Sequence, residues 1–339
     1  MSLHTKASKV LLAFICLPLI ISPALADDLS KRKDVQSFIN EMQQKHDFDK
    51  ASLEKLFSKT RIQPSIIKAM KRPAEKKPWH AYRPIFITQS RIDLGVDFWD
   101  KHADLLEQAH QKYGVAPEII VGIIGVETRY GRHTGNYRVI DSLATLGFDY
   151  PPRSKFFLSE LKHFLLMTRE EKVDPLSLKG SYAGAMGQPQ FISSSFRSYA
   201  IDFDGDGKRD IWHNPADAIG SVANYFVRHG WKRDEKITQQ LSLSVNTDKN
   251  LLKEKELKPA HTIASLRQKG FINIDKNINA DVLASIINLE GKTASEHWLG
   301  LNNFYVITRY NHSALYAMAV YQLSEQIRQR RESKREQDA

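Results

Sequence analysis

Residues 116–131 read APEIIVGIIGVETRYG and contain an acidic residue in a helical pattern that is otherwise apolar. Ile120, Ile123 and Ile124 follow the i, i+3, i+4 spacing of a helix face, and Glu127 is the next position on that face. Pro117 suits the first turn of a helix and Gly131 suits its end. The stretch therefore predicts a buried helix that carries a carboxyl group on its apolar side.

Two interpretations of Glu127 remain open from these residues. Burial raises the pKa of a carboxylic acid, and an acid still protonated near neutral pH can donate a proton to a leaving oxygen. Alternatively, Glu127 forms a buried structural ion pair with Arg129 or Arg132. Two glycines in the same helix, each costing roughly 1 kcal/mol relative to alanine, indicate that a group packs or binds close to the backbone there.

The pattern along the chain predicts a mainly α protein with a small strand-rich insertion. We expect a helical N-terminal region at 27–95, a helical core at 96–234, a strand-rich domain at 235–300 and a helical return to the core at 301–327. In the strand-rich part, "ITQQLSLSVN" alternates apolar and polar residues at Leu241, Leu243 and Val245. The charged tail 328–339 has no apolar partner in its own sequence and is predicted to be a solvated, disordered end.

The first 26 residues predict a signal peptide. Lys6 and Lys9 precede an apolar run that ends in Ala24-Leu25-Ala26, which predicts cleavage near Ala26 and export to the periplasm. Cys16 is the only cysteine, so the mature chain would have no disulfide, thiol nucleophile or cysteine-ligated metal. Ile15 is bulky for the residue before a lipidated cysteine, which argues against a lipid anchor.

The chain is basic, with a formal charge of +10 that falls to about +8 without the two signal-peptide lysines. Such a charge favours anionic partners such as peptidoglycan, lipid surfaces or nucleic acid, without choosing among them. The sequence contains no glycine-rich phosphate loop, histidine-rich metal spacing or serine nucleophile elbow, so no organic cofactor is predicted.

Residues 202–210, DFDGDGKRD, match the opening of a calcium-binding loop. Carboxylates stand at loop positions one, three, five and nine, and a glycine stands at position six. His213 replaces the glutamate expected at position twelve, so Asp217 either completes the site or caps the next helix with Asn214. We predict a structural Ca²⁺ site with these ligands: Asp202, Asp204, Asp206, Asp217 and the backbone carbonyl of Lys208.

Two further segments carry polar groups with alternative explanations. In KGSYAGAMGQPQF, 179–191, small residues beside Ser181, Gln188 and Gln190 suit either a groove for a polar polymer or a tight packing contact. In ITRYNHSALYAM, 307–318, the tyrosines and Asn311 can line a site, or Asn311 or Ser313 can simply cap a helix.

In order along the chain, these motifs resemble the membrane-bound lytic transglycosylase B family of peptidoglycan-cleaving enzymes. The resemblance runs through the following stretches: RPAEKKPWHAYR, YGVAPEIIVGIIGVETRYGRHTG, LATLGFDYPPRSKFF, LKGSYAGAMGQPQF, DFDGDGKRDIW, DAIGSVANYF and ITRYNHS. It implies a lysozyme-like helical core and cleavage of the β-1,4 bond between N-acetylmuramic acid and N-acetylglucosamine. It also implies that the muramoyl C6 hydroxyl replaces water, which yields a 1,6-anhydro product.

The resemblance assigns Glu127 as the single general acid and base. It implies sugar contacts by Ser181, Gln190, Tyr82, Tyr225, Tyr310, Asn311 and Tyr316. The chain departs from the family pattern at Gln188-Pro189, where Tyr-Gly is expected. The implied partners are glycan strands and other cell-wall enzymes, and we expect a monomer that binds no nucleic acid.

Two rival functions remain. One is a hydrolytic muramidase in which Asp141 or Asp149 assists Glu127. The other is a non-catalytic, calcium-stabilised protein that binds the cell wall.

Overall fold

The computed structural model describes residues 28–71 and 77–338, so the predicted signal peptide lies outside the described residues. Among the described residues, the N-terminal region has a short 3-10 helix (Leu29–Lys31) and five α-helices: α1 (Lys33–His46), α2 (Lys50–Ser58), α3 (Pro64–Met70), α4 (Trp79–Phe86) and α5 (Gln89–Lys101). The apolar spacing in α1 places Phe38 against Phe57 of α2, with the ring centroids 5.9 Å apart in an edge-to-face contact. Trp79, the first residue of α4, is 1% exposed, so it packs α4 into the core.

The first part of the core is helical with one short antiparallel ribbon. Its elements are α6 (Ala103–Tyr113), α7 (Pro117–Thr128), β1 (Tyr137–Arg138), α8 (Val139–Asp149), α9 (Ser154–Glu170), β2 (Lys179–Gly180), α10 (Ser193–Tyr199) and α11 (Pro215–Arg228). Phe148 on α8 packs edge-on against Phe38 and Phe57, and this cluster joins the N-terminal region to the core.

The strand-rich part forms one antiparallel sheet and a short helix. Its elements are β3 (Thr238–Leu243), β4 (His261–Thr262), α12 (Ile263–Gln268), β5 (Phe271–Ile272), β6 (Leu283–Leu289) and β7 (Glu296–Gly300), with strand order β4-β6-β7-β3-β5. Leu241 is buried in a second, small hydrophobic core beneath this sheet. The predicted alternation fails at Val245, which lies beyond β3 and is 97% exposed.

The chain returns to the core through α13 (Asn302–Tyr310) and α14 (Ala314–Asp338). Helix α7 is buried between α5, α6, α11 and α14. A Cβ on Gly122 would lie 3.2 Å from the carbonyl oxygen of Val320, so this glycine permits α14 to approach closely. The mainly helical fold with a small sheet confirms the predicted fold class.

The prediction of a disordered tail at 328–339 is wrong, because α14 continues to Asp338. Arg331 donates to Asp100 over 2.7 Å, and its guanidinium lies 4.5 Å from the centre of the Trp99 ring. The side chain of Arg331 is only 11% exposed. Long basic side chains can cover apolar surface with their stems and stack on aromatic rings, which a count of charges does not reveal.

In the part of the chain that the structure describes, no helix combines the length and the apolar character needed to cross a bilayer.

Candidate active site

Glu127 lies in the last turn of α7 and faces the start of α14. The Tyr316 hydroxyl donates a hydrogen bond to Glu127 Oε1 over 2.5 Å. Burial raises the pKa of Glu127 to about 7, and the hydrogen bond from Tyr316 partly opposes this shift. Glu127 as a residue is half-buried, and protein groups surround most of it.

The alternative of a buried ion pair at Glu127 is not supported. Arg129 donates instead to the Ser90 hydroxyl over 2.7 Å, and Arg132 is exposed. Within residues 28–71 and 77–338, Glu127 makes no ion pair. Its carboxyl group is thus free to remain protonated near neutral pH.

The two residues after Thr128 turn the chain sharply away from α7. Arg129 and Tyr130 have φ values of 52° and 62°, which non-glycine residues adopt only at a cost. The Tyr130 hydroxyl donates to the Arg91 carbonyl over 2.8 Å and holds this turn against α5. A Cβ on Gly125 would lie 2.6 Å from that hydroxyl, so Gly125 makes room for Tyr130.

The segment 179–191 packs tightly on itself and contacts Thr128, the residue after Glu127. A Cβ on Gly180 would lie 2.3 Å from the Ala185 carbonyl oxygen, so its small residues serve backbone packing. Ser181 Oγ accepts hydrogen bonds from the backbone N–H groups of Ala183 and Ala185. Gln190 has a φ of 53°, and its amide donates to the Thr134 and Gly187 carbonyls.

Two of the tyrosines are not placed for the sugar stacking that the resemblance implied. Tyr225 is 7% exposed; its ring stacks on His229 at 4.0 Å and its hydroxyl donates to the Arg309 carbonyl. Tyr316 is 3% exposed and is a hydrogen-bond partner of Glu127. Neighbouring aromatic rings cover the Tyr225 ring, and the Tyr316 hydroxyl is bonded to Glu127, so both residues support the site.

The other predicted contact residues lie around this centre. The Tyr310 ring is parallel to that of Tyr316 within 10°, with the centroids 6.5 Å apart. Burial, with the nearby carboxyl group of Glu127, raises the pKa of both tyrosines well above 10. Asn311 is exposed at the end of α13, and Ser313 caps α14 by accepting from the Tyr316 N–H. Tyr82 is partly buried on α4, with its ring 5.1 Å from that of Phe86.

The two carboxylates considered as partners of Glu127 are both held by arginines. Arg138 donates to Asp141 over 2.8 Å, and the Arg61 backbone N–H donates to the same carboxylate. Arg32 donates to Asp149 over 2.7 Å. Both aspartates thus join the N-terminal region to α8, and neither is arranged as a second acid or base.

The acidic loop brings together three of the four predicted carboxylate ligands. Asp202, Asp204 and Asp217 each offer an oxygen atom within 4.8 Å of the others, so these residues fit a divalent cation. Asp217 is fully buried, and burial followed by the charges of Asp204 and Asp202 raises its pKa. Asp206 lies outside this group, and its carboxylate accepts from the backbone N–H of Lys208. Asn214 alone caps α11, which excludes capping as the role of Asp217.

The sequence profile described as "Transglycosylase SLT domain" matches residues 30–325, which is most of the chain. The chain belongs to this transglycosylase family. It is 44% identical over 313 residues to the membrane-bound lytic murein transglycosylase B of Escherichia coli strain K12, covering 89% of this chain and 85% of that protein.

Solved structures of similar proteins agree with this family. The soluble lytic transglycosylase SltB1 from Pseudomonas aeruginosa superposes with a TM-score of 0.84 at 50% identity, covering 88% of this chain and 99% of that one. The E. coli lytic transglycosylase Slt35 in complex with calcium superposes with a TM-score of 0.82 at 44% identity, covering 90% and 95%.

Two residues of this transglycosylase that the sequence reasoning did not assign hold the site together. Thr128 Oγ1 donates to the Gln188 carbonyl over 3.0 Å and accepts from the Gly131 N–H. The Pro189 carbonyl accepts from the Tyr310 hydroxyl over 2.7 Å. At the Gln188-Pro189 departure, the backbone therefore contacts Tyr310. Proximity to Glu127 in sequence was the one available signal for Thr128, whereas a backbone carbonyl leaves no signal in side-chain patterns.

Proposed function

We propose that Glu127 is the single general acid and base of a lytic transglycosylase that cleaves the β-1,4 bond between N-acetylmuramic acid and N-acetylglucosamine. The observation that carries this assignment is a carboxyl group whose pKa burial raises to about 7 and which accepts a hydrogen bond from Tyr316. Asp141 and Asp149, the carboxylates that a hydrolytic muramidase would recruit, are instead bound to arginines.

The reaction has two proton transfers, both at Glu127. The protonated carboxyl group donates to the glycosidic oxygen as the C1–O bond breaks and positive charge develops on the muramoyl ring. The resulting carboxylate of Glu127 then takes the proton of the C6 hydroxyl. At the same time the oxygen of that hydroxyl forms a bond to C1. Glu127 returns to its protonated state, and the muramoyl residue carries a 1,6-anhydro ring.

Tyr316 holds the Glu127 carboxyl group in one orientation during both steps. Its hydroxyl donates to Oε1, so the hydrogen bond is strongest when Glu127 is a carboxylate between the two transfers. Tyr310 stacks parallel to Tyr316 and is itself held by Pro189. This arrangement restricts the motion of the acid before the substrate binds.

We further propose that Asp202, Asp204 and Asp217 bind a structural Ca²⁺, with Asp206 and the Lys208 carbonyl as the remaining candidate ligands from the loop pattern. The related Slt35 was solved in complex with calcium. A cation here would neutralise converging carboxylates and would join the acidic loop to α11. Its role is stabilisation of the loop, since the loop carries none of the residues assigned to the proton transfers.

The proposed location is the periplasm, after cleavage near Ala26 and without a lipid anchor at Cys16. The proposed partners are peptidoglycan glycan strands, with other cell-wall enzymes as further candidates, and the protein acts as a monomer. Sequence patterns in residues 1–26 support the location, and the basic charge supports binding to glycan strands.

Digestion of purified peptidoglycan with mass analysis of the products tests the reaction. We expect muropeptides with 1,6-anhydro ends, which are lighter by one water than the reducing ends that a hydrolase makes. Glu127→Gln should lower the rate by about 10²- to 10⁴-fold. Glu118→Gln, on the first turn of the same helix, is the matched control and should retain activity. Reducing ends would favour the muramidase, and equal rates for Glu127→Gln and wild type would refute the mechanism.

A further inference from the structure

A polar pocket of about 670 Å³ lies between α4, α14 and the sheet of the strand-rich part, and we call it the outer pocket. Four of its lining residues follow the i, i+3, i+4, i+7 spacing of one face of α14: Gln322, Glu325, Gln326 and Gln329. Val320 and Ser324 pack against Gly122 of α7, so the outer pocket uses the face of α14 that points away from α7. Its volume is in the usual range of ligand sites, roughly 300–1,000 Å³.

The sheet gives the outer pocket an aromatic and amide wall. Trp298 of β7 lies opposite Gln240 of β3 in antiparallel register, so their side chains share one face of the sheet. The Trp298 ring packs edge-on against Tyr321 of α14, with the centroids 6.4 Å apart, and both residues are partly exposed. The His80 N–H donates to the Glu290 carbonyl over 3.1 Å and so joins α4 to the turn that follows β6. Contacts between the walls therefore hold the pocket in shape.

The charged groups that line the outer pocket balance one another. Arg83 and Lys292 oppose Glu296 and Glu325, so the lining carries no net formal charge when histidine is neutral. Glu296 also accepts from the Trp298 indole N–H over 3.1 Å. Sites for anions instead present unbalanced arginine or lysine side chains. The charge pattern therefore indicates an uncharged ligand.

Polar groups of the outer pocket keep unused hydrogen-bonding capacity. Gln322 Oε1 accepts from Arg83 over 2.7 Å, while its amide N–H groups have no acceptor among the described residues. In the same part of the chain, the hydrogen bonds of Gln240 are made by its backbone, so its side-chain amide is available. Trp79, which is 1% exposed, also lines the pocket, and its buried indole N–H has no partner in residues 28–71 and 77–338. Since buried polar groups are nearly always paired, a water or a ligand group is expected to complete this wall.

We propose that the outer pocket is a second, non-catalytic glycan site, which binds the uncharged N-acetylglucosamine units of the peptidoglycan strand. Amide side chains both donate and accept hydrogen bonds, as do the hydroxyl and acetamido groups of this sugar. The rings of Trp298 and Tyr321 offer apolar surface to the C–H face of a pyranose. This inference rests on the proposed function, because peptidoglycan supplies the ligand.

The outer pocket is separate from the catalytic centre. Neither Glu127 nor any residue that the resemblance assigned to sugar contacts lines it. On α14 the lining extends from Tyr321 to Gln329, which places it roughly 8–20 Å along the helix axis from Tyr316. Two sites for one polymer act together, because binding at one raises the effective concentration of sugar units at the other. The outer pocket thus holds the enzyme on its polymer between cleavage events.

The first test measures binding of chitobiose, the uncharged β-1,4 disaccharide of N-acetylglucosamine, to the Glu127→Gln protein by calorimetry. Trp298→Ala in this background should reduce the number of chitobiose sites by one. Gln240→Ala combined with Gln326→Ala should weaken the same site about tenfold, and both residues are exposed, so this variant serves if Trp298→Ala does not fold. Gln268→Ala, an exposed glutamine of α12 outside the pocket, is the matched control and should leave every site unchanged.

The second test uses the enzyme with Glu127 intact. Gln240→Ala combined with Gln326→Ala should raise the KM for intact peptidoglycan about fivefold, and should raise the KM for a soluble tetrasaccharide fragment much less. No binding of chitobiose, or sites that survive both sets of substitutions, would overturn the proposal. An equal rise of KM for polymer and fragment would also overturn it, because the pocket would then belong to the catalytic groove. Failure of the proposed function is seen separately, as the absence of anhydro products from the wild-type enzyme.

Discussion

The Tyr316 hydroxyl donates to Glu127 Oε1 and so joins the last turn of α7 to the first turns of α14. Two opposing effects act on this one carboxyl group. Burial favours the protonated acid, whereas the hydrogen bond favours the carboxylate, and the pKa that results is about 7. A group poised near neutral pH can donate a proton in one step and accept a proton in the next.

Replacing Tyr316 by phenylalanine tests this balance. Loss of the donated hydrogen bond removes the effect that lowers the pKa of Glu127, so this pKa should rise further. Since the first transfer in the proposed mechanism requires protonated Glu127, the fall of kcat/KM on the alkaline side should move to higher pH. The rate at the optimum should drop roughly tenfold, because the carboxylate becomes less stable and less well oriented.

The measurement is a pH profile of anhydro-muropeptide formation. Tyr305→Phe, on the neighbouring helix α13, is the matched control and should leave the profile unchanged. If kcat/KM of Tyr316→Phe falls at the same alkaline pH as that of wild type, the hydrogen bond from Tyr316 does not set the pKa of Glu127.

Glu127 should also make stability depend on pH. Its pKa is about 7 in the folded protein, above the ordinary value of 4.5. The folded state therefore binds more protons than the unfolded state between these values. The contribution of protonated Glu127 is complete below about pH 4.5 and is lost as pH rises through about 7.

Glu127→Gln removes this penalty of a buried charge. The free energy of unfolding of the variant minus that of wild type should be larger at pH 8 than at pH 4.5, by about 3 kcal/mol. Urea unfolding at both pH values measures the effect. The exposed Glu332→Gln should show a much smaller change with pH, and equal differences for Glu127→Gln at both pH values would contradict the assignment of a raised pKa.

Calcium should stabilise the fold without taking part in the reaction. Added Ca²⁺ should raise the Tm of the wild-type protein by roughly a few degrees at saturation, and chelation should reverse the gain. Asp204→Asn should abolish the effect because Asp204 is one of the three convergent carboxylates. Asp281→Asn, an exposed substitution in the strand-rich part, should preserve it. Loss of kcat on chelation at a temperature where the protein remains folded would contradict a purely structural role.

The last turns of α14 should contribute to stability. Arg331→Ala removes the contact with Trp99 and the ion pair with Asp100, and should lower the free energy of unfolding by about 1–2 kcal/mol. Arg335→Ala, an exposed arginine one turn later, should change it by less than about 0.5 kcal/mol. If chemical denaturation shows equal and negligible effects of the two variants, Arg331 does not stabilise the fold. That result would support the solvated tail that the charges predicted.

Predictions that depended on local spacing agreed with the structure more often than those that depended on distant contacts. The helix around Glu127 and the convergence of Asp202 with Asp204 follow from residues close together in the chain. The stacking role assigned to Tyr225 failed, because neighbours from α10, α11 and α13 cover its ring. No sequence pattern shows which face of a tyrosine remains open to solvent.

The sequence alone was sufficient to predict the mainly helical class, a carboxyl group on an apolar helix face and an acidic loop suited to a cation. These features arise from the periodicity of the backbone and from neighbours a few residues apart. Only the tertiary structure decided between an ion pair and a protonated acid at Glu127. The pKa of a carboxyl group depends on every group that surrounds it, and Tyr316, its hydrogen-bond partner, is 189 residues away in the chain.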